Sequence, residues 1–321
     1  MADNAILSRP GVYLNQSDGS WEQDNKNFLK VFTGEVLTAF NANCIMQGLH
    51  RERTITHGKS ASFPVTGTAS AYYHVPGTPI LGHNQIPHGE RVIAIDDLLV
   101  APVTIYSLDE AKNHFDVRAE YSKQLGEALA EARDRKTLQV AILSARSGPT
   151  IPGMPGGSVL TNADFATDGL ALASGMFSCA QLFDEKNIPK ADRHMVVRPM
   201  QYYALVEARE NIHKDWDGRG SYAEGNIIKI AGIGIHSSNH VPNVNITAAA
   251  GENNKYDGNF ANTVAACFQR EAFGTVKLKD LVVQKSNGDF EVMYQATLLV
   301  AKYAIGHGIL RPECAVELTS A

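Results

Sequence analysis

Residues 53–106 restrict the possible fold more than any other part of the chain, because their apolar residues never recur at helical spacing. Two arms in which apolar and polar residues alternate, 58–75 and 90–106, indicate strands instead. The connector between them, PGTPILGHNQIPHG, is rich in proline, glycine and asparagine, which favour turns. The stretch therefore predicts one long β-hairpin with an irregular tip.

A hairpin of this kind has little to bury itself against. Two strands alone are marginally stable in water, and their open edges invite further pairing. Within one subunit, several apolar side chains of the predicted hairpin would be poorly buried: Phe63, Tyr72, Tyr73, Val92, Ile93 and Ile95. Because a neighbouring copy laid against the hairpin would cover them, we expect a homo-oligomer.

A long amphipathic helix is predicted after the hairpin. Ser107 is a favourable N-cap, and the helical pattern extends to residues 146–147, with a break allowed near Asn113. Counted from residue 114, the helix would be about 50 Å long. Its polar faces carry acids among the bases, which argues against a nucleic-acid site and predicts a solvated or subunit-facing surface. The charged residues of interest are Arg118, Glu120, Arg133 and Arg135.

The remainder predicts a compact α/β segment followed by extended strands. SGPTIPGMPGGS, residues 147–158, is the clearest internal boundary, because prolines and glycines dominate it. A helix is predicted over 164–186, a strand and a helix over 193–208, and an isoleucine-rich strand pair over 226–238. Asn287-Gly288 predicts a hairpin turn before a terminal alternating strand. The fold class is thus α+β.

Gly58-Lys59-Ser60 matches the last three residues of a phosphate-binding loop. The complete motif needs a glycine where this chain has Arg53, and a helix where the pattern predicts a strand. A nucleotide-binding enzyme therefore remains an alternative that rests on these three residues alone.

No other cluster predicts chemistry. Residues 213–224 follow part of a calcium-loop template, but His213 stands where the metal needs an oxygen ligand. His236 and His240 have the spacing of two ligands on a helix, yet their neighbours indicate a loop. We expect no catalytic site, no metal and no cofactor.

The bulk properties are those of a folded protein outside membranes. The net charge of −5 argues against a protein that coats nucleic acid. No apolar run reaches the ~18 residues that a membrane span needs. The four cysteines, which form no CxxC motif, are expected to be reduced and buried.

Several blocks of the sequence resemble one family. FLKVFTGEVLTAF, GKSASFPV, LDEAKNHFDVRAEYSKQLGEALA, FGTVKLKDL and AKYAIGHGILRPE are similar, in the same order, to the major capsid protein of short-tailed phages (podoviruses) of the coliphage T-7 type. The resemblance is clear over 28–147 and 268–314 and looser over 191–242. Residues 1–27, 148–190 and 243–263 depart from it.

The resemblance implies the tailed-phage capsid fold of the Hong Kong 97 type. It assigns 1–53 to an N-terminal arm, 54–106 to an extended loop, and 107–158 to a peripheral domain with a spine helix. An axial domain would span 159–266, and 267–321 would return as strands to the peripheral domain. In this family the extended loop lies over the adjacent subunit of the same capsomer, which accounts for the long hairpin.

The implied function is structural. Pentamers and hexamers would form an icosahedral virion capsid around double-stranded DNA that is not bound sequence-specifically, with a scaffolding protein during assembly and a portal protein at one vertex. Assembly would occur in the cytoplasm of the bacterial host, with no membrane partner. An encapsulin-like compartment shell, which shares the fold, is a further alternative.

Interface and hinge residues are predicted from pattern alone. We expect subunit contacts from Phe63, Tyr72, Tyr73, His74, Val92, Ile93, Arg118, Glu120, Arg133 and Arg135. Because one sequence must fit both five-fold and six-fold rings, hinges are expected at Gly58, Gly89, Gly148 and Gly153.

Overall fold

A computed structural model describes residues 12–14, 21–23, 36, 38–40, 44–80, 86–108, 117–208, 220–221, 226–227, 229–247, 250–286 and 288–320. The strands are β1 Val12–Leu14, β2 Trp21–Gln23, β3 Arg51–Thr54, β4 Ser60–Thr66, β5 His88–Ala94, β6 Leu99–Tyr106, β7 Ser158–Thr161, β8 Arg193–Val197, β9 Gly220–Ser221, β10 Asn226–Ile227, β11 Lys229–Ile230, β12 Ile233–Ser237, β13 Asn245–Ile246, β14 Gly258–Asn259, β15 Thr263–Gln269, β16 Phe273–Lys285, β17 Ala296–Ile309 and β18 Ala315–Thr319. The helices are α1 Val117–Arg146, α2 Gly169–Glu185, α3 Pro199–Glu207 and α4 Gly288–Tyr294, with short 3₁₀ turns at Ala163–Ala166 and Pro312–Cys314.

The chain divides into two compact units. The first comprises Met1–Cys44, Leu99–Ala130 and Leu281–Tyr303, and the second comprises Ile45–Leu98, Glu131–Asp280 and Ala304–Ala321. In the first unit, β6 pairs antiparallel with β17 from Tyr106↔Ala296 to Leu99↔Tyr303. The second arm predicted for the hairpin, 90–106, is therefore divided between two sheets: β5 pairs with β4, whereas β6 pairs with β17. Alternation indicates a half-buried strand without identifying its partner.

A six-stranded mixed sheet forms the core of the second unit, in the order β11-β12-β8-β15-β18-β7. All residues of β15 and β18 are buried, as central strands covered on both faces require. Helix α2 packs on this sheet with an apolar stripe at helical spacing: Leu172, Met176, Cys179 and Phe183. The four cysteines are free and buried, as predicted.

Local sequence features account for the ends of several elements in the second unit. Asp168 caps α2, with its carboxylate accepting a hydrogen bond from the Leu170 N–H at 2.9 Å. Pro199 opens α3, a position where its missing N–H costs nothing. The isoleucine-rich pair is β11 and β12, turning at Ala231 and Gly232, which both have positive φ.

Two predicted elements are wrong. The strand expected from Phe290 begins only at Ala296, and residues Gly288–Tyr294 form helix α4. The rings of Phe290 and Tyr294 lie 4.7 Å apart, a contact that helical spacing allows, because a five-residue apolar pattern fits both periods. The predicted hairpin arms also shorten to β4 and β5, and residues 67–80 form no strand.

Candidate intersubunit surfaces

The β4–β5 hairpin buries one face within its own subunit. The strands pair from Ser60↔Ala94 to Thr66↔His88, which places Ala61 opposite Ile93. This face packs in one apolar cluster: Ala61, Phe63, Ile93, Ile95, Val276, Ala304 and Leu310. Phe63, Ile93 and Ile95 are therefore buried inside the subunit, and the prediction that the hairpin leaves them uncovered is wrong. The later strands β16 and β17, far away in sequence, supply the cover.

The opposite face and the tip of the hairpin stay uncovered. The side chain of Tyr73 is 101% exposed, that of Val92 58% and that of Tyr72 52%, and His74 is also exposed. Val75 and Ile80 add two further exposed apolar side chains to the same segment. Four of the predicted contact residues, Tyr72, Tyr73, His74 and Val92, thus lie where another molecule can reach them.

The charged residues predicted on the long helix are in three different environments. Glu120 is exposed and accepts a hydrogen bond from Gln124 at 3.2 Å. Arg135 is 61% exposed and forms an ion pair with Glu131 one turn earlier. Arg133 is only 3% exposed, so its assignment to a subunit-facing surface is wrong. The side chain of Arg118 lies outside the described residues.

Arg133 belongs to a buried ionic cluster that the sequence patterns did not indicate. Its guanidinium donates to the carboxylate of Glu52, which also accepts from the Lys277 ammonium at 2.6 Å. Burial alone would raise the pKa of Glu52, but the Lys277 hydrogen bond and the charge of Arg133 outweigh it and lower this pKa. The cluster connects β3, β16 and α1 within the second unit. Three charges distant in sequence leave no local signal.

A chain of neutral polar groups lies beside this cluster. His50 contacts the Thr275 hydroxyl at 2.6 Å, and that hydroxyl contacts His307 Nδ1 at 2.8 Å. Burial lowers the pKa of His50 to about 4 and that of His307 well below its usual value. Both imidazoles are consequently neutral at pH 7 and serve as internal hydrogen-bonding groups.

The four predicted hinge glycines differ in conformation. Gly58, before β4, and Gly153, in the proline-rich segment, have φ of +113° and +88°, a region that favours glycine. Gly148 lies in open space without positive φ. Gly89 is inside β5, paired with Val65, and a Cβ there would lie 3.2 Å from Ile151. A paired strand position is not a hinge geometry, so we retain only the other three.

The alternative chemical sites lack the required geometry. Strand β4 starts at Ser60, so no helix N-terminus follows Gly58-Lys59-Ser60 to bind a phosphate. His236 Nε2 lies 3.2 Å from His194 Nδ1, whereas His240 Nδ1 lies 3.9 Å from Glu131, so these two histidines have different neighbours. Most of the calcium-loop template lies outside the described residues.

The described residues offer neither a metal-binding cluster nor a membrane-spanning helix. Within the described ranges, no group of three or more histidine, cysteine or acidic side chains could hold a metal ion. In that same part of the chain, no helix is both long and apolar enough to cross a membrane.

Comparison with known proteins gives consistent matches along nearly the whole chain. The sequence profile of a family described as Gp10A-like, major capsid protein, matches residues 62–319. The major capsid protein of Escherichia phage T7 is 36% identical over 313 residues, covering 90% of each chain. That of Enterobacteria phage T3 is 36% identical over 331 residues, covering 95% of this chain and 94% of the relative.

A solved structure agrees with the sequence matches. The chain is similar to one in the capsid structure of the Cyanophage P-SCSP1u, with 43% identity and a TM-score of 0.80. The match covers 87% of this chain and 88% of the other.

Proposed function

Because this chain belongs to the Gp10A-like family of major capsid proteins, we propose that its copies assemble as pentamers and hexamers into an icosahedral shell around double-stranded DNA. The chain is a structural capsid protein that forms oligomeric shells, and its fold is the α+β fold of tailed-phage capsids. The family match is the observation that carries this proposal. We propose that each ring contains five or six copies, that the shell encloses DNA and that the chain has no enzymatic activity.

The subunit surface supports contacts between copies. The hairpin tip exposes Tyr72, Tyr73, Val75 and Ile80, and helices α2 and α3 expose a second set: Leu170, Phe177, Met200 and Tyr203. Contiguous exposed apolar groups mark interaction surfaces, whereas single ones do not. We assign the hairpin tip, with His74 and Val92, to the contact with the adjacent subunit. Glu120, Arg118 and Arg135 supply polar contacts from α1.

The partners follow from the same proposal. A scaffolding protein guides assembly in the cytoplasm of the bacterial host, and a portal protein occupies one vertex. The net charge of −5 suits a shell that encloses DNA without gripping it. The proposed boundaries are an N-terminal arm to residue 53, an extended loop to 106, a peripheral domain to 158, an axial domain to 266 and returning strands to 321.

The decisive experiment is sedimentation velocity of the purified chain, alone and with scaffolding protein, followed by electron microscopy of the fast fraction. We expect closed particles built of five-fold and six-fold rings. A monomer or dimer under both conditions would contradict the proposal. Particles that carry a cargo enzyme instead of DNA when purified from infected cells would favour a compartment shell. We expect Lys59→Ala to assemble like the parent chain, and we expect neither protein to hydrolyse ATP.

The hairpin contact is tested separately by replacing two aromatic side chains. The double variant Tyr72→Ser with Tyr73→Ser should assemble at least about tenfold less well, since exposed aromatic groups dominate interface energies. The urea midpoint of the unassembled subunit should not change. The control Tyr73→Phe retains the ring and should assemble normally. If the double variant assembled as well as the parent, the hairpin tip would not form the contact between subunits.

A further inference from the structure

The polar loop GENNKYD, residues 251–257, has no counterpart in the family resemblance and no role so far. We call it the asparagine loop. It lies against the four residues where β5 ends, Ala94, Ile95, Asp96 and Asp97, which we call the hairpin root. Both segments belong to the second compact unit.

The asparagine loop bonds to the backbone of nearly every residue of the root. Asn254 accepts from the Ala94 N–H at 3.2 Å through Oδ1 and donates to the Ala94 carbonyl at 2.8 Å through Nδ2, so its amide acts as an added strand residue. Asn253 Nδ2 donates to the Ile95 carbonyl at 2.5 Å. The Asp97 N–H donates to the Gly251 carbonyl at 2.9 Å.

The Asp96 carboxylate is the centre of the same contact. It is buried and accepts hydrogen bonds from the Asn253 N–H at 2.9 Å, the Tyr256 hydroxyl at 2.6 Å and Asn254 Nδ2 at 3.2 Å. A buried carboxylate with three donors is held in one position, because losing any donor leaves charge unsatisfied in a low-dielectric site.

The loop is in turn fixed to two long elements. The Tyr256 hydroxyl accepts from the His307 N–H of β17 at 2.9 Å. Lys136 of α1 pairs with Glu252 at 3.1 Å and lies 5.5 Å from the centre of the Tyr256 ring. The root therefore bonds to a loop that is itself anchored at both ends of its sequence.

Close backbone approach supports the same geometry. A Cβ on Gly306 would lie 2.0 Å from the Ala94 carbonyl oxygen, and one on Gly308 would lie 2.6 Å from Ile93. The Asp96 N–H also donates to the Ile305 carbonyl at 3.2 Å. These contacts hold the hairpin at its root, whereas the described residues of its tip, 67–80, form no helix or strand.

We propose that the asparagine loop is a lock that sets the direction in which the β4–β5 hairpin leaves its subunit, with Asp96 and Asn254 as positioning residues. The inference rests on the proposed function, since a hairpin that reaches an adjacent copy must leave at a defined angle. A two-stranded hairpin cannot define that angle alone. Loss of the lock would not prevent contact between copies, but it would make the curvature of the assembly variable.

The test compares Asn254→Ala and Asp96→Asn with Lys255→Ala, a control in the same loop whose side chain is exposed. Spin labels on cysteines introduced at Ser62, within β4, and at Gln181, two exposed positions, report the hairpin direction in the unassembled subunit. We expect one narrow distance distribution in the parent and the control, and a broad one in both variants. Exchange of the Ala94 and Asp97 amide hydrogens should accelerate about tenfold in Asn254→Ala.

Assembly provides the second readout. The variants should form mixed tubes and shells of unequal diameter, while the control forms uniform particles. Parent-like distances and uniform particles in both variants would overturn the lock. If Asn254→Ala does not fold, the isosteric Asp96→Asn decides alone. A parent chain that forms no closed particle would refute the proposed function, and the distances in the free subunit would still test the lock.

Discussion

At the scale of single residues, the buried cluster of Glu52, Arg133 and Lys277 differs from the exposed ion pairs of α1. Its charges come from β3, α1 and β16 and are 24%, 3% and 14% exposed. When one partner of a buried ion pair is removed, the remaining charge stays in a site that water does not reach. When an exposed pair is broken, water solvates the remaining charge. Two arginines two positions apart on α1 therefore have different energetic roles.

Replacing Arg133 with methionine should lower the free energy of unfolding of the subunit by about 1.5–3 kcal/mol, because the Glu52 carboxylate loses one of its two cationic partners and keeps only Lys277. The matched change Arg135→Met should cost less than about 0.5 kcal/mol. Urea denaturation of the unassembled subunit, followed by circular dichroism, measures both. Equal midpoints for the two variants would show that the cluster contributes nothing net.

Acid should destabilise the subunit through His50. In the unfolded chain this imidazole has a pKa near 6.5, whereas burial lowers the folded value to about 4, so the unfolded state binds more protons between these values. Stability present above pH 6.5 should fall as the pH drops through this window, by about 3 kcal/mol for this group. The pKa values of His307 and Glu52 are also lowered, and both groups act in the same direction.

Urea midpoints measured from pH 7 to pH 4 test this dependence. His50→Gln should flatten the curve, while the exposed His57→Gln should leave its shape unchanged. A parent chain equally stable at pH 7 and pH 4 would be incompatible with two buried neutral histidines.

At the scale of elements, α2 carries buried side chains that stabilise the subunit and exposed side chains that we assign to assembly. Phe177 and Phe183 both lie on α2, but Phe177 is 60% exposed and Phe183 is completely buried. Phe183 packs against the six-stranded sheet, and Arg193 lies 5.2 Å from its ring centre. Phe177 faces outward in the set that we assign to contacts between copies.

Phe183→Ala should lower the free energy of unfolding by about 3–5 kcal/mol, since it opens a cavity in the core. Phe177→Ser should leave the unfolding midpoint within about 0.5 kcal/mol of the parent and reduce the yield of particles. Denaturation and light scattering on the same samples separate the two effects. Normal particle yield with Phe177→Ser would remove this helix face from the interface.

Elements were predictable where a local signal agreed with burial. The stripe of α2, the cap at Asp168 and the turn at Gly232 all follow from spacing or backbone preference. The partner of a strand was not predictable, because β6 carries the same alternation whether it pairs with the first arm of the predicted hairpin or with β17. The role of the asparagine loop was not predictable, because its polar residues are typical of a surface loop and its partners in the hairpin root are about 160 positions away in the sequence.

At the scale of the whole molecule, the net charge of −5 governs how easily copies meet. Like-charged subunits repel each other over the Debye length, which is about 30 Å at 0.01 M salt and about 10 Å at 0.1 M. Raising the salt concentration across this range should lower the protein concentration needed for assembly by at least about twofold. Light scattering against protein concentration measures the threshold. A threshold that rises with salt would instead indicate contacts dominated by opposite charges.

The lack of helix and strand in residues 67–80 of the hairpin tip affects how accurately the shell can assemble. Residues 67–80 contain no helix or strand, and the Tyr73 side chain is completely exposed. Ordering such a segment costs about 1–2 kcal/mol per residue in conformational entropy, so each new contact keeps only a small net gain. A subunit that joins at the wrong angle would then leave before its neighbours trap it. With the contact that we propose at the tip, weak first contacts would allow errors to be corrected while the lattice is still growing.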